Sequence, residues 1–363
     1  MGEETVVASE DFEVENAGIV LRGTRWSTAA AGASGAAAAG VGASEAAASA
    51  VADQADAVLL IHGACVDRSF YAAAAHELAR RFTVITYDRR GYTDSALPTV
   101  GGASVAVGAA PKAKVAGSDT PGSAPGVSCR SNGSPASASG TSSASSRAPS
   151  VPAATSEVPA DTTSAPDCSV ATQAADAAAI IHALGGGAPM HVVAHSGGCV
   201  IAMELARSHP ELVRRVVLDE PLFLDCLPDQ SAFRTTTQRI FKALSEGKDS
   251  LALHLFMPTL GATDPRSRAH DETSPELFRA NTSHFIQNEY VALSSYMPDY
   301  EALRGVDLCV LSSELDHGEQ YPQCAREVAE RLDAPLYFVP GTHNFPTDLP
   351  EEFARFVAGA LLL

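Results

Sequence analysis

The sequence predicts an α/β fold, a mostly parallel central sheet with helices on both faces and a helical cap, and three observations carry that prediction. Short apolar runs such as Ala57–Ile61 and His191–Ala194 alternate with helical patterns along the chain, the mark of strands joined by crossover helices. Ala57–Ile61 is apolar throughout, as a strand buried on both faces is. One long stretch, 225–303, carries helical periodicity without a clear strand, so it interrupts the alternation and belongs outside the sheet as a cap.

The elements follow in order. Phe12–Val14 and Ile19–Arg25 flank Asn16–Ala17–Gly18 and predict a β-hairpin. Ala57–Ile61 is the first parallel strand, Ser69–Arg81 has helical spacing, and Phe82–Tyr87 is the next strand. Ser169–Leu184 is an Ala-rich amphipathic helix ended by Gly185–Gly187. His191–Ala194 (strand), Cys199–His209 (helix) and Val213–Leu218 (strand) follow, then the helical stretch 225–303. Leu308–Ser312, Gln323–Leu332, Leu336–Val339 and Glu351–Leu361 close the chain as strand, helix, strand and helix.

Two segments lack the material for a core. Residues 27–52 are mostly Ala, Gly and Ser, and residues 99–169 are rich in Ser, Ala, Pro, Gly and Thr. Neither buries enough apolar surface to offset the entropy of ordering, so both are expected to be flexible insertions. The Ala-rich part 43–55 also has the composition of a frayed helix. Without the two insertions, roughly 260 residues remain, the size of a single α/β domain.

Composition excludes several classes of function. A net charge of −18 argues against nucleic acid, whose phosphates need clustered Lys and Arg, and against an anionic lipid surface. The seven cysteines are scattered, at Cys65, Cys129, Cys168, Cys199, Cys226, Cys309 and Cys324. Their odd number and irregular spacing suit reduced thiols, and no Cys/His cluster has zinc spacing. Met1–Glu15 is acidic and lacks the apolar run of a secretory signal, and Val6 stands where a myristoylation signal needs Ser or Thr. No stretch is long and apolar enough for a membrane span. A cytoplasmic chain with neither metal nor organic cofactor is therefore expected.

The strongest local signal is Met190–His191–Val192–Val193–Ala194–His195–Ser196–Gly197–Gly198–Cys199. A buried strand runs into Ser196 and a helix begins at once. A sharp turn there lifts the hydroxyl above the sheet and needs small neighbours, which Ala194, Gly197 and Gly198 are. The Gly197 N–H then lies at a helix start, where unpaired donors stabilise an oxyanion. An ordinary strand-to-helix turn with Ser as N-cap has the same three residues. Context separates the two. His62–Gly63–Ala64 follows the first parallel strand and allows a tight turn that aims the Ala64 N–H at the same oxyanion. Pro340–Gly341–Thr342–His343 sets a His directly after the last strand, in line with Ser196 and placed to be its base. The third member must be a carboxylate that fixes the His tautomer. Asp316, in the loop after Leu308–Ser312, gives the chain order Ser, acid, His. Glu314 is its near competitor, and Asp219 and Glu220 after the preceding strand are a second possibility.

With these motifs in order, and with Asp88–Arg89–Arg90–Gly91–Tyr92–Thr93–Asp94–Ser95 after the second parallel strand, the sequence resembles the α/β-hydrolase superfamily. The resemblance spans both ends of the catalytic domain. It implies Ser196 as nucleophile, His343 as base, Asp316 as acid, and the N–H groups of Ala64 and Gly197 as the oxyanion hole. The elbow departs from the family's usual pattern in beginning with Ala194 where Gly is customary. Ser in place of a nucleophilic Asp implies acyl transfer through an acyl-enzyme, with a small carboxylic ester as substrate. A thioester, an amide, a carbon–carbon bond beside a ketone, or perhydrolysis would use the same triad. A small-ligand binding protein on the same fold is the alternative from another class, and an interaction protein acting through 99–169 is a third. Within 225–303, Phe233, Phe241, Phe256, Met257, Phe278, Phe285, Tyr290, Tyr296 and Met297 either pack the cap or line an apolar pocket. Arg234 and Arg239 are candidates to meet a substrate carboxylate.

Overall fold

The chain begins with two paired strands, β1 (Val7–Asn16) and β2 (Ile19–Thr28), joined by a two-residue turn in which Ala17 and Gly18 both have positive φ, +48° and +74°. That turn follows the right-handed twist of the flanking strands. The computed structural model describes residues 6–28, 56–97, 167–260, 274–314 and 320–363. Almost all of 27–52 and 99–169, including the Ala-rich 43–55, lies outside the described residues.

Six parallel strands follow: β3 (Ala57–Ile61), β4 (Thr83–Tyr87), β5 (Met190–His195), β6 (Val213–Asp219), β7 (Leu308–Ser313) and β8 (Leu336–Val339). All eight form one sheet in the order β1-β2-β4-β3-β5-β6-β7-β8, with β2 antiparallel to β4. The chain reverses its direction of growth between β3 and β5. Side chains alternate across the sheet and divide the core in two. Leu59, Ile61 and Val192 pack with α2 (Val170–Gly185) and α3 (Gly198–Ser208), reached after a first helix, α1 (Ala72–Leu78). Val58, Leu60 and Val193 join the opposite layer with α1 and with the C-terminal helix Pro350–Leu362. The helix expected over Ser69–Arg81 is split. Asp67 caps a 3₁₀ turn at Arg68–Tyr71 by accepting from the Ser69 N–H, and the α-helix starts only at Ala72.

Between β6 and β7 the described residues are helical: α4 (Ala232–Ser245), α5 (Asp249–Phe256), α6 (Pro275–His284), a π-helical turn (Phe285–Glu289), α7 (Tyr290–Ser294) and α8 (Tyr300–Leu303). After β7 come α9 (Gln320–Leu332), β8, α10 (Phe345–Asp348) and α11 (Pro350–Leu362). No helix of the described residues is long and apolar enough to cross a membrane.

One expectation is corrected. The cysteines were expected as reduced thiols, yet Cys226 and Cys324 form a disulfide with Cα atoms 4.9 Å apart, 98 residues apart in sequence. The bond ties the turn after β6 to α9. Sequence spacing gives no hint of it, because only the fold brings those segments together. Cys65, Cys168, Cys199 and Cys309 are free and buried. Closing so long a loop constrains the unfolded chain, so reduction or a Cys226→Ser/Cys324→Ser double substitution is expected to cost about 2–5 kcal/mol. Urea unfolding with and without dithiothreitol measures this; coincident midpoints would show the bond adds no stability.

Candidate active site

At the end of β5 the chain turns within one residue. Ser196 has φ +53°, its N–H donates to the Asp219 carbonyl at 2.8 Å, and α3 begins two residues later. A β-carbon makes that left-handed conformation costly by roughly 1 kcal/mol, so the neighbours must hold it. The two glycines that follow differ. A Cβ on Gly198 would stand 2.6 Å from the Ile61 carbonyl oxygen, whereas one on Gly197 would meet nothing closer than 3.5 Å. Gly198 lets α3 lie against the end of β3, and Gly197 leaves space in front of Ser196. The Ala64 nitrogen lies 3.8 Å from where that Gly197 Cβ would be, so the expected oxyanion donors are neighbours.

His343 follows β8 after Gly341, whose φ is +99°. Its Nδ1 is 2.6 Å from Glu220 Oε2. Glu220 is the first residue past β6, fully buried, with φ +54°. Its other oxygen accepts from the Ser313 N–H at 2.7 Å, and the Ser313 hydroxyl donates to the Thr342 carbonyl at 2.7 Å. The carboxylate and the loop bearing His343 are therefore fastened to the same residue of β7. Burial pushes the Glu220 carboxyl up, but the His343 bond and charge and the Ser313 N–H hold it below the usual glutamate range. It is an anion beside an imidazole.

The other carboxylates named from the sequence lie elsewhere. Asp316 falls outside the described residues. Glu314 is exposed at the end of β7. Asp219 reaches His195, whose Nδ1 lies 2.9 Å from its Oδ2. This second pair is buried, and the His195 ring lies 4.5 Å from the His343 ring, centroid to centroid. Burial first, then the Glu220 charge, raises the Asp219 carboxyl well above its ordinary value. Burial and His343 push the His195 imidazole down. The two adjacent carboxyls are thus pushed in opposite directions, Glu220 toward its anion and Asp219 toward its neutral form.

Two participants escaped the sequence argument. His195 reads there only as a neighbour of Ser196; Asp219, which ends β6 in register with it, was the available signal. Tyr321, at the start of α9, stacks on His343 with ring centroids 3.9 Å apart; nothing in the sequence marked it.

Ser196, His343, Ala64 and Gly197 line one pocket of about 90 Å³. Five of the nine aromatic and Met side chains singled out in 225–303 line it as well: Phe233, Phe256, Phe278, Phe285 and Tyr290. Tyr296 instead donates to Glu204 at 3.0 Å, and Met297 is 75% exposed. Arg234 does not face the pocket; its guanidinium donates to the carbonyls of Leu224, Leu227 and Pro228. Arg239 is an exposed residue of α4. Among the described residues no group of three or more His, Cys, Asp or Glu is arranged to hold a metal ion.

Comparison with known proteins gives three findings. A family model described as the alpha/beta hydrolase fold matches residues 56–305. The uncharacterized hydrolase YraK of Bacillus subtilis is 27% identical over 173 residues, which span 46% of this chain and 61% of that protein. The chain thus matches less than two thirds of that relative's length. Among solved structures, an alpha/beta hydrolase from Sphaerobacter thermophilus superposes with a TM-score of 0.52 at 19% identity, over 96% of this chain and 99% of that one. A thermophilic esterase from Thermogutta terrifontis gives 0.53 at 15% identity, over 96% and 97%. At these identities the likeness to solved structures concerns the fold.

Proposed function

This chain belongs to the α/β-hydrolase fold family, and from that premise we propose that it is a serine hydrolase acting on small carboxylic esters through Ser196, His343 and Glu220. The observation that carries the proposal is the Glu220–His343 bond at the rim of the pocket that Ser196 lines. In the reaction, Ser196 Oγ attacks the ester carbonyl and His343 takes its proton. Glu220 holds the imidazole through Nδ1–H and stabilises the imidazolium. The carbonyl oxygen becomes an oxyanion facing the N–H groups of Ala64 and Gly197. Collapse expels the alcohol, which takes the proton from His343 and leaves an acyl-serine. Water, deprotonated by the same His343, then releases the acid. Glu220 replaces the Asp316 expected from the loop after β7.

The pocket walls support the substrate class. Phenyl rings from the helical segment and the apolar flank of Val66 and Phe70 favour a short apolar acyl group.

Intact-mass labelling with a fluorophosphonate, followed by peptide mapping, tests the assignment. One adduct on the peptide that holds Ser196 is expected. No adduct on the folded protein would mean that the serine is not activated.

A further inference from the structure

The peptide that carries the Ala64 N–H is gripped from behind by a buried cation. Arg89, two residues past β4, is 1% exposed. Its Nη2 donates to the Gly63 carbonyl oxygen and to the Tyr92 hydroxyl, both at 3.0 Å. Its Nη1 donates to Gln173 at 2.6 Å and to the Glu289 carboxylate at 3.0 Å. The Arg89 main-chain N–H donates to His62 Nε2 at 3.1 Å. That contact leaves the His62 proton on Nδ1, which donates to the same Gly63 oxygen at 2.9 Å. Burial first, and Arg89 second, push the His62 imidazole well below its usual value, in keeping with one proton.

The Gly63 oxygen and the Ala64 N–H are opposite ends of one planar trans peptide. Two donors that hold the oxygen therefore aim the N–H the other way, into the pocket. One of the two donors is a full cation, which polarises the peptide and makes its N–H a stronger donor. A buried guanidinium persists only beside a compensating anion. Glu289, fully buried, supplies it from the π-helical turn of the segment between β6 and β7, and also accepts from the Tyr92 hydroxyl at 2.8 Å. Burial pushes the Glu289 carboxyl up, and Arg89 pulls it below its usual range, so it is charged. π-Helical turns inside helical runs recur at functional sites, because the extra residue re-aims a side chain.

We propose that Arg89, with its charge met by Glu289, is the positioning residue of the oxyanion hole, so that the helical segment must be seated through Glu289 before the Ala64 N–H is in place. The proposal rests on the assignment of Ala64 as an oxyanion donor. It predicts that substrate binding and transition-state binding separate when the clamp is loosened.

Arg89→Lys in the full chain tests it, because an ammonium keeps the charge beside Glu289 but cannot reach Gly63, Tyr92 and Gln173 together. The measurements are kcat and KM on a short-chain 4-nitrophenyl ester, and Ki for a trifluoromethyl ketone, whose adduct with Ser196 bears an oxyanion. Expected are a roughly 10–100-fold fall in kcat, a KM within about twofold, and ketone affinity lost by the same factor as kcat/KM. Unchanged kcat and Ki, or a loss confined to KM, would overturn the proposal. Should Arg89→Lys not fold, Glu289→Gln keeps size and hydrogen bonding while removing the charge, and the same split is expected at roughly 3–10-fold; an unchanged kcat there overturns the proposal equally. Wild type labelled at Ser196 with variants that turn over normally would sink the clamp alone. Wild type that is never labelled would sink the underlying hydrolase assignment instead.

Discussion

Replacing Glu220 with Gln is expected to slow ester hydrolysis by roughly 10³–10⁴-fold, with the fold retained. The amide has the volume of the carboxylate and keeps an acceptor for the Ser313 N–H, which now binds at 2.7 Å. It carries no charge to stabilise the imidazolium, and its NH₂ group can satisfy His343 Nδ1 only in the tautomer whose Nε2 is protonated and useless as a base. The paired variant is Asp316→Asn, expected to stay within about fivefold of wild type. Steady-state kinetics on one ester decide the matter. A collapse with Asp316→Asn and a mild effect with Glu220→Gln would return the acid to the loop after β7.

Ser196→Gly separates activity from stability. Loss of at least about 10⁴ in kcat/KM is expected once the nucleophile is gone. The same change removes the β-carbon from a residue at φ +53°. The relieved strain offsets the larger backbone freedom of glycine in the unfolded chain, so stability is expected to hold or rise by about 1 kcal/mol. Urea unfolding at equilibrium reports it. A variant destabilised by more than about 1 kcal/mol would mean that the hydroxyl, and not the backbone, is the stabilising part of this turn.

Where one physical pattern dominates, the elements were legible in the sequence. Ala57–Ile61 and Leu336–Val339 are bounded as expected, because each apolar run is flanked by turn-forming or charged residues. The first hairpin extends well beyond the expected strands, to Val7 and Thr28. The added residues Val7–Asp11 and Trp26–Thr28 are exposed or half-buried, so main-chain pairing, not burial, sets its length. At the site, Ser196 and His343 each sit beside a strand end that composition reveals. The carboxylate was harder to place. Asp316 and Glu220 both satisfy the order Ser, acid, His. What brings Glu220 to His343 is the positive φ after β6 and the Ser313 N–H from the neighbouring strand, neither of which leaves a trace in a one-dimensional pattern. Arg89 and Glu289 are 200 residues apart, beyond any spacing rule.

Pairing of β5 with β6 sets His195 opposite Asp219, and one step further Ser196 and Glu220 emerge together. Because successive side chains leave opposite faces, removing one residue from 213–219 would draw Pro221 to the place of Glu220 and Glu220 to that of Asp219, turning both histidine–carboxylate pairs out of alignment. Residues 99–169, between β4 and α2, are expected from their composition to be an insertion. Tolerance to changes of length is thus sharply uneven. A scan of insertions and deletions would draw a map with a broad permissive plateau after β4 and a narrow forbidden band across β5 and β6, where the chemistry is specified by alignment as much as by residue type.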